Sequence, residues 1–191
     1  NKPLRGVSAM LQRIYGMNLG ILCLLLLVVP IVWAKGCLWL RRNVQIRLNL
    51  LLLAAAVLAI GRITVWSRTP GEYEVVLRPL AALQAARQEP ELYREMLMNV
   101  ALFLPLGLAL SQVLPQKWPC WERVLLTIFV GGALSAAVEY TQYRFALGMA
   151  ETDDVFCNAL GALDGALSLS IGQWMKRCGR SRQSVPNTEN Q

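Results

Sequence analysis

The chain has 191 residues, of which 55% are hydrophobic and 16% charged, and its mean hydropathy is +0.40. Soluble domains carry about 25% charged residues, and the apolar runs here reach the roughly 20 residues that span a bilayer, so a soluble enzyme is excluded. The net charge of +7 does not point to nucleic acid, because the basic residues fall in short loops and at the tail, where they set topology and meet anionic headgroups.

Five apolar segments predict an all-α membrane protein, a bundle of about five transmembrane helices. In chain order they cover residues 14–34, 48–66, 96–114, 124–143 and 153–175. The first segment resembles a signal peptide, since Val32-Trp33-Ala34 has the form of a cleavage site. Its length and the basic residues that follow, Lys35 and Arg41, favour a retained transmembrane helix instead.

These segments divide the chain into three parts. Residues 1–47 hold the first helix and a basic loop, residues 48–175 hold a four-helix core, and residues 176–191 form a basic polar tail that we expect to be disordered. Within the polar stretch after the second segment, Val75–Arg87 would form a short interfacial helix. Lys and Arg are slightly more numerous on the side of the tail, which favours a cytoplasmic tail and an N-terminus outside.

Histidine is absent from the chain, and its five cysteines form no CxxC pair: Cys23, Cys37, Cys120, Cys157 and Cys178. An odd number of cysteines without such spacing argues against a zinc site and against a disulfide framework. The lack of histidine removes the commonest general base and any Ser-His or Cys-His nucleophile. We therefore expect no cofactor.

Polar residues in or beside four of the segments would lie at one depth, near one membrane surface. They are Arg62, Asn99, Glu139, Gln142, Asp153, Asp154 and Asn158. The second and fourth segments end on that side and the third and fifth begin there, so this convergence does not depend on the overall orientation. Spacings of three and four residues put the polar residues of a segment on one helix face. The sequence therefore predicts a functional polar cluster at the outer helix ends.

Each of these residues also has a structural interpretation. An ionisable side chain within a transmembrane segment is costly and marks a functional site by default, which applies most to Glu139. The competing interpretation of Glu139 is an ion pair with Arg62. Asp154 would serve equally well as a helix cap, and Asn99 and Asn158 as hydrogen-bonding contacts between helices.

Further residues bear on the predicted cluster and on the packing around it. Arg68 and Arg78 would bring positive charge onto the acidic site. Asp164, near the middle of the fifth segment, must be protonated, paired or facing water, and the sequence names no partner for it. Gly161 and Gly165 form a small-xxx-small pair, which would pack closely either inside one bundle or between chains.

Four motifs follow one another in a fixed order along the chain. They are Arg68-Thr69-Pro70-Gly71, then Asn99-Val100-Ala101-Leu102-Phe103-Leu104-Pro105-Leu106-Gly107, then Glu139-Tyr140-Thr141-Gln142, then Asp153-Asp154-Val155-Phe156-Cys157-Asn158-Ala159-Leu160-Gly161. Together, over residues 49–171, they resemble the VanZ-like family. The resemblance implies a multi-pass protein of the bacterial cytoplasmic membrane, with the first segment as an extra helix ahead of a four-helix core.

Two positions depart from the family's pattern. Many members carry an arginine shortly before the acidic pair, where Gly148 and Met149 stand here, and Arg144 is the nearest substitute. Asp164 replaces a residue that is usually small or apolar. Both departures bear on whether the family's activity carries over unchanged.

The family takes its name from a teicoplanin-resistance protein, so the leading hypothesis is an envelope protein that handles an amphiphile or wall precursor at the outer leaflet. Its expected partners are the lipid bilayer and a lipid-linked or amphiphilic ligand, and self-association stays open. One alternative is a membrane-embedded hydrolase or transferase, with Glu139 as general base and a divalent cation on Asp153 and Asp154. The others are a proton-coupled transporter that uses Asp164 and Glu139 and a structural assembly subunit.

Overall fold

Five transmembrane helices account for most of the computed structural model, which describes residues 18–71, 75–76, 90–147 and 150–183. The helices are α1 (Leu19–Cys37), α2 (Arg42–Gly61), α3 (Pro90–Val113), α4 (Cys120–Arg144) and α5 (Thr152–Gln183), and α2 continues directly into a π-helix over Arg62–Trp66. Each is long and apolar enough to cross a membrane. The predicted class, an all-α membrane protein with about five spanning helices, is confirmed.

The helices extend beyond the apolar segments that predicted them. For example, α2 begins at Arg42 rather than residue 48, and α5 ends at Gln183 rather than near residue 175. Hydropathy marks only the part of a helix inside hydrocarbon, whereas Arg, Lys and Gln are good helix formers that continue the helix into the headgroup region. The prediction of a disordered tail is therefore wrong for residues 176–183, whose backbone is helical; residues 184–191 lie outside the described residues.

The bundle is organised around the contact between α3 and α5, with α4 packed on α5 and α2 on α3. Glycines make the central contact possible: a methyl group at Gly107 would overlap the backbone of Ala162, and one at Gly161 would overlap the carbonyl of Val100. A methyl group at Gly165 would likewise meet the backbone of α3. The predicted Gly161/Gly165 pair thus packs inside one bundle.

The apolar core lies between α2, α3 and α4, where Ile60, Phe103, Leu106 and Val138 are almost fully buried. Large apolar side chains on the outer helix faces are exposed instead, as expected for surfaces that meet lipid. The fold therefore buries a narrow central seam and presents an apolar exterior.

Two short strands close the bundle at the end where α4 finishes and α5 begins. β1 (Val75–Val76) pairs in parallel with β2 (Ala150–Glu151), with Val76 opposite Glu151. Beside them, Ala146 adopts a left-handed conformation (φ 52°) just after α4, and its carbonyl accepts a 2.9 Å hydrogen bond from the amide of Gly71. The predicted interfacial helix is thus wrong at residues 75–76, which are extended because they pair with β2; residues 77–89 lie outside the described residues.

Candidate functional site

The polar residues predicted from the sequence meet at the end of the bundle that the two strands close. There the N-terminal ends of α3 and α5 lie beside the C-terminal end of α4 and the π-helix that extends α2. We use the name acidic cluster for Asn99, Glu139, Asp153, Asp154 and Asn158. These five residues come from three helices, and Gln142 and Arg62 stand apart from them.

A short hydrogen bond joins α3 to α5 within the acidic cluster. The side-chain amide of Asn99 donates through Nδ2 to Oδ1 of Asp154 at 2.6 Å, and both side chains are half-buried. Asp154 and the buried Asp153 lie in the first turn of α5, where the positive end of the helix dipole stabilises negative charge. Asn99 therefore links α3 to α5 through a hydrogen bond to a carboxylate.

Glu139 approaches the cluster from the last turns of α4. Its Oε2 accepts a hydrogen bond from the backbone amide of Glu151 at 3.0 Å, and its side chain is half-buried. It is close enough to Asp154 for the two carboxylates to interact electrostatically. Two partly desolvated carboxyl groups from different helices thus lie together, which is an unfavourable arrangement unless nearby positive charge or donors offset it.

Positive charge reaches these two carboxylates from Arg68, one of the two arginines that the sequence suggested for this role. Arg68 acts electrostatically on both Glu139 and Asp154, and its Nη1 donates to the carbonyl of Leu147 at 3.5 Å. Leu147 is itself fixed by a 2.9 Å hydrogen bond from its amide to the carbonyl of Gln142. The loop that follows α4 therefore positions Arg68 over the acidic cluster, while Arg78 lies outside the described residues.

Asn158 sits one helical turn below Asp154 and is only 3% exposed. Its Nδ2 donates to the hydroxyl of Ser135 on α4 at 2.8 Å. Its Oδ1 has no hydrogen-bond partner among the described residues, and an unsatisfied buried polar atom costs about 1–3 kcal/mol. The amide therefore links α4 to α5 and leaves one acceptor beneath the carboxylates.

Gln142 is buried but turns toward α2 rather than toward the carboxylates. Its Nε2 donates to the carbonyl of Thr64 at 2.8 Å. Carbonyl groups in the last turn of a helix lack partners within that helix, so this bond satisfies one of them and fastens the π-helix to α4. The position of Gln142 indicates a structural contact at the edge of the site.

Arg62 lies at the same end of the bundle, but its side chain is exposed. Ile60 and Thr64, two residues to either side, face inward, since Ile60 is 1% exposed and Thr64 lies against α4. Two residues along a helix correspond to roughly half a turn, so Arg62 points away from the bundle. Among the described residues no ion pair joins Arg62 to Glu139, and the structure does not bring Arg62 into the cluster.

The side chains of the acidic cluster can be compared with the ligands that a divalent cation requires, as the metal-dependent hypothesis assumes. In the described ranges no three His, Cys, Asp or Glu side chains are grouped as ligands of a metal ion. A hard divalent cation takes six or more oxygen ligands, several of them carboxylates. The site thus gives no support to a divalent-cation centre on Asp153 and Asp154.

Most of the chain matches the model of a known protein family. The family model described as VanZ/LLP1 matches residues 21–173. The chain belongs to the VanZ/LLP1 family. The match includes most of α1, and so reaches further toward the N-terminus than the resemblance found from the four motifs, which began at residue 49. No curated protein and no solved structure matches the chain. Family membership and five spanning helices together establish an integral membrane protein.

This VanZ/LLP1 chain also carries a second polar network that the sequence analysis missed, at the opposite end of the bundle. Gln45 Nε2 donates to Gln112 Oε1 at 3.1 Å, and Asn49 Nδ2 donates to the carbonyl of Gln45 at 2.8 Å. Arg42 donates to the carbonyl of Gln112 at 2.8 Å. The i, i+4 spacing of Gln45 and Asn49 was the signal available, because it puts two amides on one helix face.

Asp164, the ionisable residue near the middle of the fifth predicted segment, belongs to neither network. Its side chain is half-buried on α5, and its backbone carbonyl accepts a 2.9 Å hydrogen bond from Ser168. Among the described residues no hydrogen bond to its carboxyl group is found.

Proposed function

We propose that this VanZ/LLP1 protein binds the polar headgroup of an amphiphile at the acidic cluster, in the outer leaflet of a bacterial cytoplasmic membrane. Handling of this amphiphile, a wall precursor or a membrane lipid, would lower susceptibility to lipoglycopeptides such as teicoplanin. The observation that carries the proposal is the convergence of half-buried Glu139 and Asp154, from two helices, beneath the positive charge of Arg68.

The two carboxylates have acceptor capacity to spare for a ligand. An ionised carboxylate offers about four lone-pair sites. The described hydrogen bonds supply one donor to Asp154, from Asn99, and one to Glu139, from the backbone of Glu151. Because both side chains are half-buried rather than enclosed, hydroxyl, amide or ammonium donors of a headgroup can reach them. Each such bond to a charged group contributes about 1.5–3 kcal/mol.

Asn158 adds a neutral acceptor deeper in the same site. Its Oδ1, which has no hydrogen-bond partner among the described residues, lies one turn further into the membrane than Asp154. A headgroup with donors at two depths would satisfy the carboxylates and this amide together. Such an arrangement favours a large polar headgroup over a single small ion.

The surface of α4 below Glu139 is suited to an acyl chain. Glu139 lies at the boundary between the buried and the lipid-facing sides of α4. Gly132 and Ala136 follow this boundary toward the membrane centre; Ala136 is exposed, and a methyl group at Gly132 would meet nothing within 4 Å. These small residues leave space beside the helix, so an acyl chain attached to a headgroup at Glu139 would lie along them.

Drug susceptibility in a sensitive Gram-positive host tests the proposal. Cells expressing the wild-type chain, Glu139→Gln or Asp154→Asn at matched membrane levels would be compared for minimal inhibitory concentrations of teicoplanin and of vancomycin, which lacks the acyl chain. We expect the wild type to raise the teicoplanin value and both variants to lose the increase. Glu122→Gln, in the first turn of α4 at the opposite end, is the matched control and should behave as the wild type.

Two outcomes would overturn parts of the proposal. A wild-type chain that reaches the membrane and leaves teicoplanin susceptibility unchanged removes the resistance role. Variants that keep full resistance but unfold at lower temperature would instead show that Glu139 and Asp154 only hold helices together, which is the assembly-subunit hypothesis.

A further inference from the structure

A cavity of about 650 Å³ opens at the end of the bundle opposite to the acidic cluster. It lies between the loop after α3, the first turn of α4 and the last membrane-embedded turns of α5. Its polar lining includes Gln116, Arg123, Gln173 and Lys176, and two tryptophans, Trp118 and Trp174, also line it. We call it the basic cavity.

Arg123 is the central group of the basic cavity and is only 5% exposed. Its Nη1 donates to Oε1 of Gln116 at 2.7 Å and its Nη2 to Oε1 of Gln173 at 3.4 Å. Its Nε is buried without a hydrogen-bond partner in the described part of the chain. A guanidinium group is always protonated, so within the described part of the chain this full positive charge is held by neutral amides.

Two further cations lie near Arg123, and among the described residues no acidic side chain lines the cavity. Lys176 lies at its wall, where Nζ donates to the carbonyl of Leu38 at 2.5 Å and sits 5.6 Å from the ring centre of Trp39. Arg42 is close enough to interact electrostatically with Arg123. Glu122, next to Arg123 in the sequence, does not contribute to the lining. A buried charge without a counter-ion is costly, so the cavity is suited to an anion.

The tryptophans indicate the depth of the cavity in the membrane. Trp174 is 65% exposed, and Trp39 and Trp121 are exposed at the same end of the bundle. Tryptophan collects where hydrocarbon meets the headgroup layer. The mouth of the basic cavity therefore lies at the level of lipid phosphates, and arginine is the side chain best matched to a phosphate, which it can bind with two parallel hydrogen bonds.

We propose that the basic cavity binds a phosphate group, held by Arg123 and Lys176, and that this phosphate belongs to an anionic phospholipid. The guanidinium group of Arg123 would donate to a phosphate oxygen, Lys176 would contribute a second charge, and Trp118 and Trp174 would flank the lipid's glycerol and upper acyl carbons. This site is separate in position and in charge from the acidic cluster and does not depend on the function proposed there.

Thermal unfolding of the full chain in a non-ionic detergent tests the site. The probes are phosphatidylglycerol, phosphatidylcholine and inorganic phosphate, each titrated separately. We expect phosphatidylglycerol to raise the unfolding temperature and phosphatidylcholine, whose headgroup has no net charge, to do little. In Arg123→Gln and Lys176→Gln the apparent affinity for phosphatidylglycerol should fall about tenfold or more. Lys35→Gln removes an exposed lysine from the same end of the bundle but outside the cavity, and should match the wild type.

The remaining outcomes are decisive in either direction. If inorganic phosphate gives a shift as large, lost in the same two variants, the phosphate site stands but its occupant is soluble. If phosphatidylglycerol stabilises all variants equally, or does not stabilise the wild type, the site is refuted. Should Arg123→Gln fail to fold, native mass spectrometry of wild type and Lys176→Gln decides, because retention of phosphatidylglycerol must be lower in the variant.

Discussion

Asn99 on α3 donates a 2.6 Å hydrogen bond to the carboxylate of Asp154 on α5. It is a polar bond between the two helices that pack most extensively in the bundle. Both partners are half-buried within membrane-spanning helices, where lost hydrogen bonds are not fully replaced by water. The bond therefore contributes to stability as well as orienting the carboxylate.

Removing this donor should destabilise the protein measurably. We expect Asn99→Ala to lower the free energy of unfolding by about 1.5–3 kcal/mol, the usual contribution of a hydrogen bond to a charged group. Thermal or denaturant unfolding in detergent measures the change, with Thr141→Ala as control, since the Thr141 hydroxyl bonds only to the carbonyl of Ala137 in its own helix. A double-mutant cycle with Asp154→Ala that shows no coupling would contradict the assignment.

Alanine substitutions at two glycines should have opposite effects. At Gly161 a methyl group would overlap the carbonyl of Val100, whereas at Gly132 it would meet open space. Overpacking costs about 1–3 kcal/mol, while an unhindered Gly→Ala in a helix stabilises by about 0.4–1 kcal/mol. We therefore expect Gly161→Ala to unfold at lower temperature than the wild type and Gly132→Ala at an equal or higher temperature. Equal losses in both variants would refute the close α3–α5 contact.

The contact between Gln142 and the π-helix can be tested by replacing only the side-chain amide of Gln142. Gln142→Glu keeps the shape of the side chain but removes the amide that donates to the carbonyl of Thr64. The carbonyl would then lose its donor and face an acceptor, so we expect a loss of about 1–3 kcal/mol in the free energy of unfolding. Hydrogen exchange should rise in residues 62–66 in particular, and an unchanged exchange rate there would count against the contact.

Two arginines near one end of the bundle should differ in their effect on drug susceptibility. Arg68 acts electrostatically on Glu139 and Asp154, whereas Arg62 points away from the bundle. We expect Arg68→Gln to reduce the teicoplanin resistance conferred by the wild type and Arg62→Gln to leave it intact. Because both side chains are exposed, neither change should alter the free energy of unfolding by more than about 1 kcal/mol. The reverse ranking would favour the Arg62–Glu139 pair suggested by the sequence.

Sequence reasoning located the spans and the depth of the polar residues, because both follow from hydropathy along the chain. Asn99, Glu139 and Asp154 were therefore expected at one end of the bundle, and the structure places them there. The direction of the Arg62 side chain could not be predicted from the sequence, because it depends on which face of α2 packs inward and on the π-helix at Arg62–Trp66. The depth of a residue in the membrane depends on its own helix alone, whereas the direction of its side chain depends on how the neighbouring helices pack.

The basic cavity was missed for a related reason. Arg123 precedes the apolar segment at residues 124–143 and was counted as a loop charge, but α4 begins at Cys120 and places it in a buried first turn. Likewise the sequence around Gln112 carries no signal of its role, because Gln45 and Arg42 meet it only in the folded bundle. Whether a charged residue next to a span is buried depends on where the helix begins, and hydropathy locates helix ends poorly.

The glycine-mediated contact between α3 and α5 also limits how the bundle can move. At Gly107, Gly161 and Gly165 the backbone of one helix lies directly against the other, so at these positions there is no side chain whose rotamer could change to let one helix slide or tilt past the other. We therefore expect α3 and α5 to behave as a single rigid body. A cysteine cross-link between α3 and α5 would then leave the binding of a lipid along α4 unimpeded.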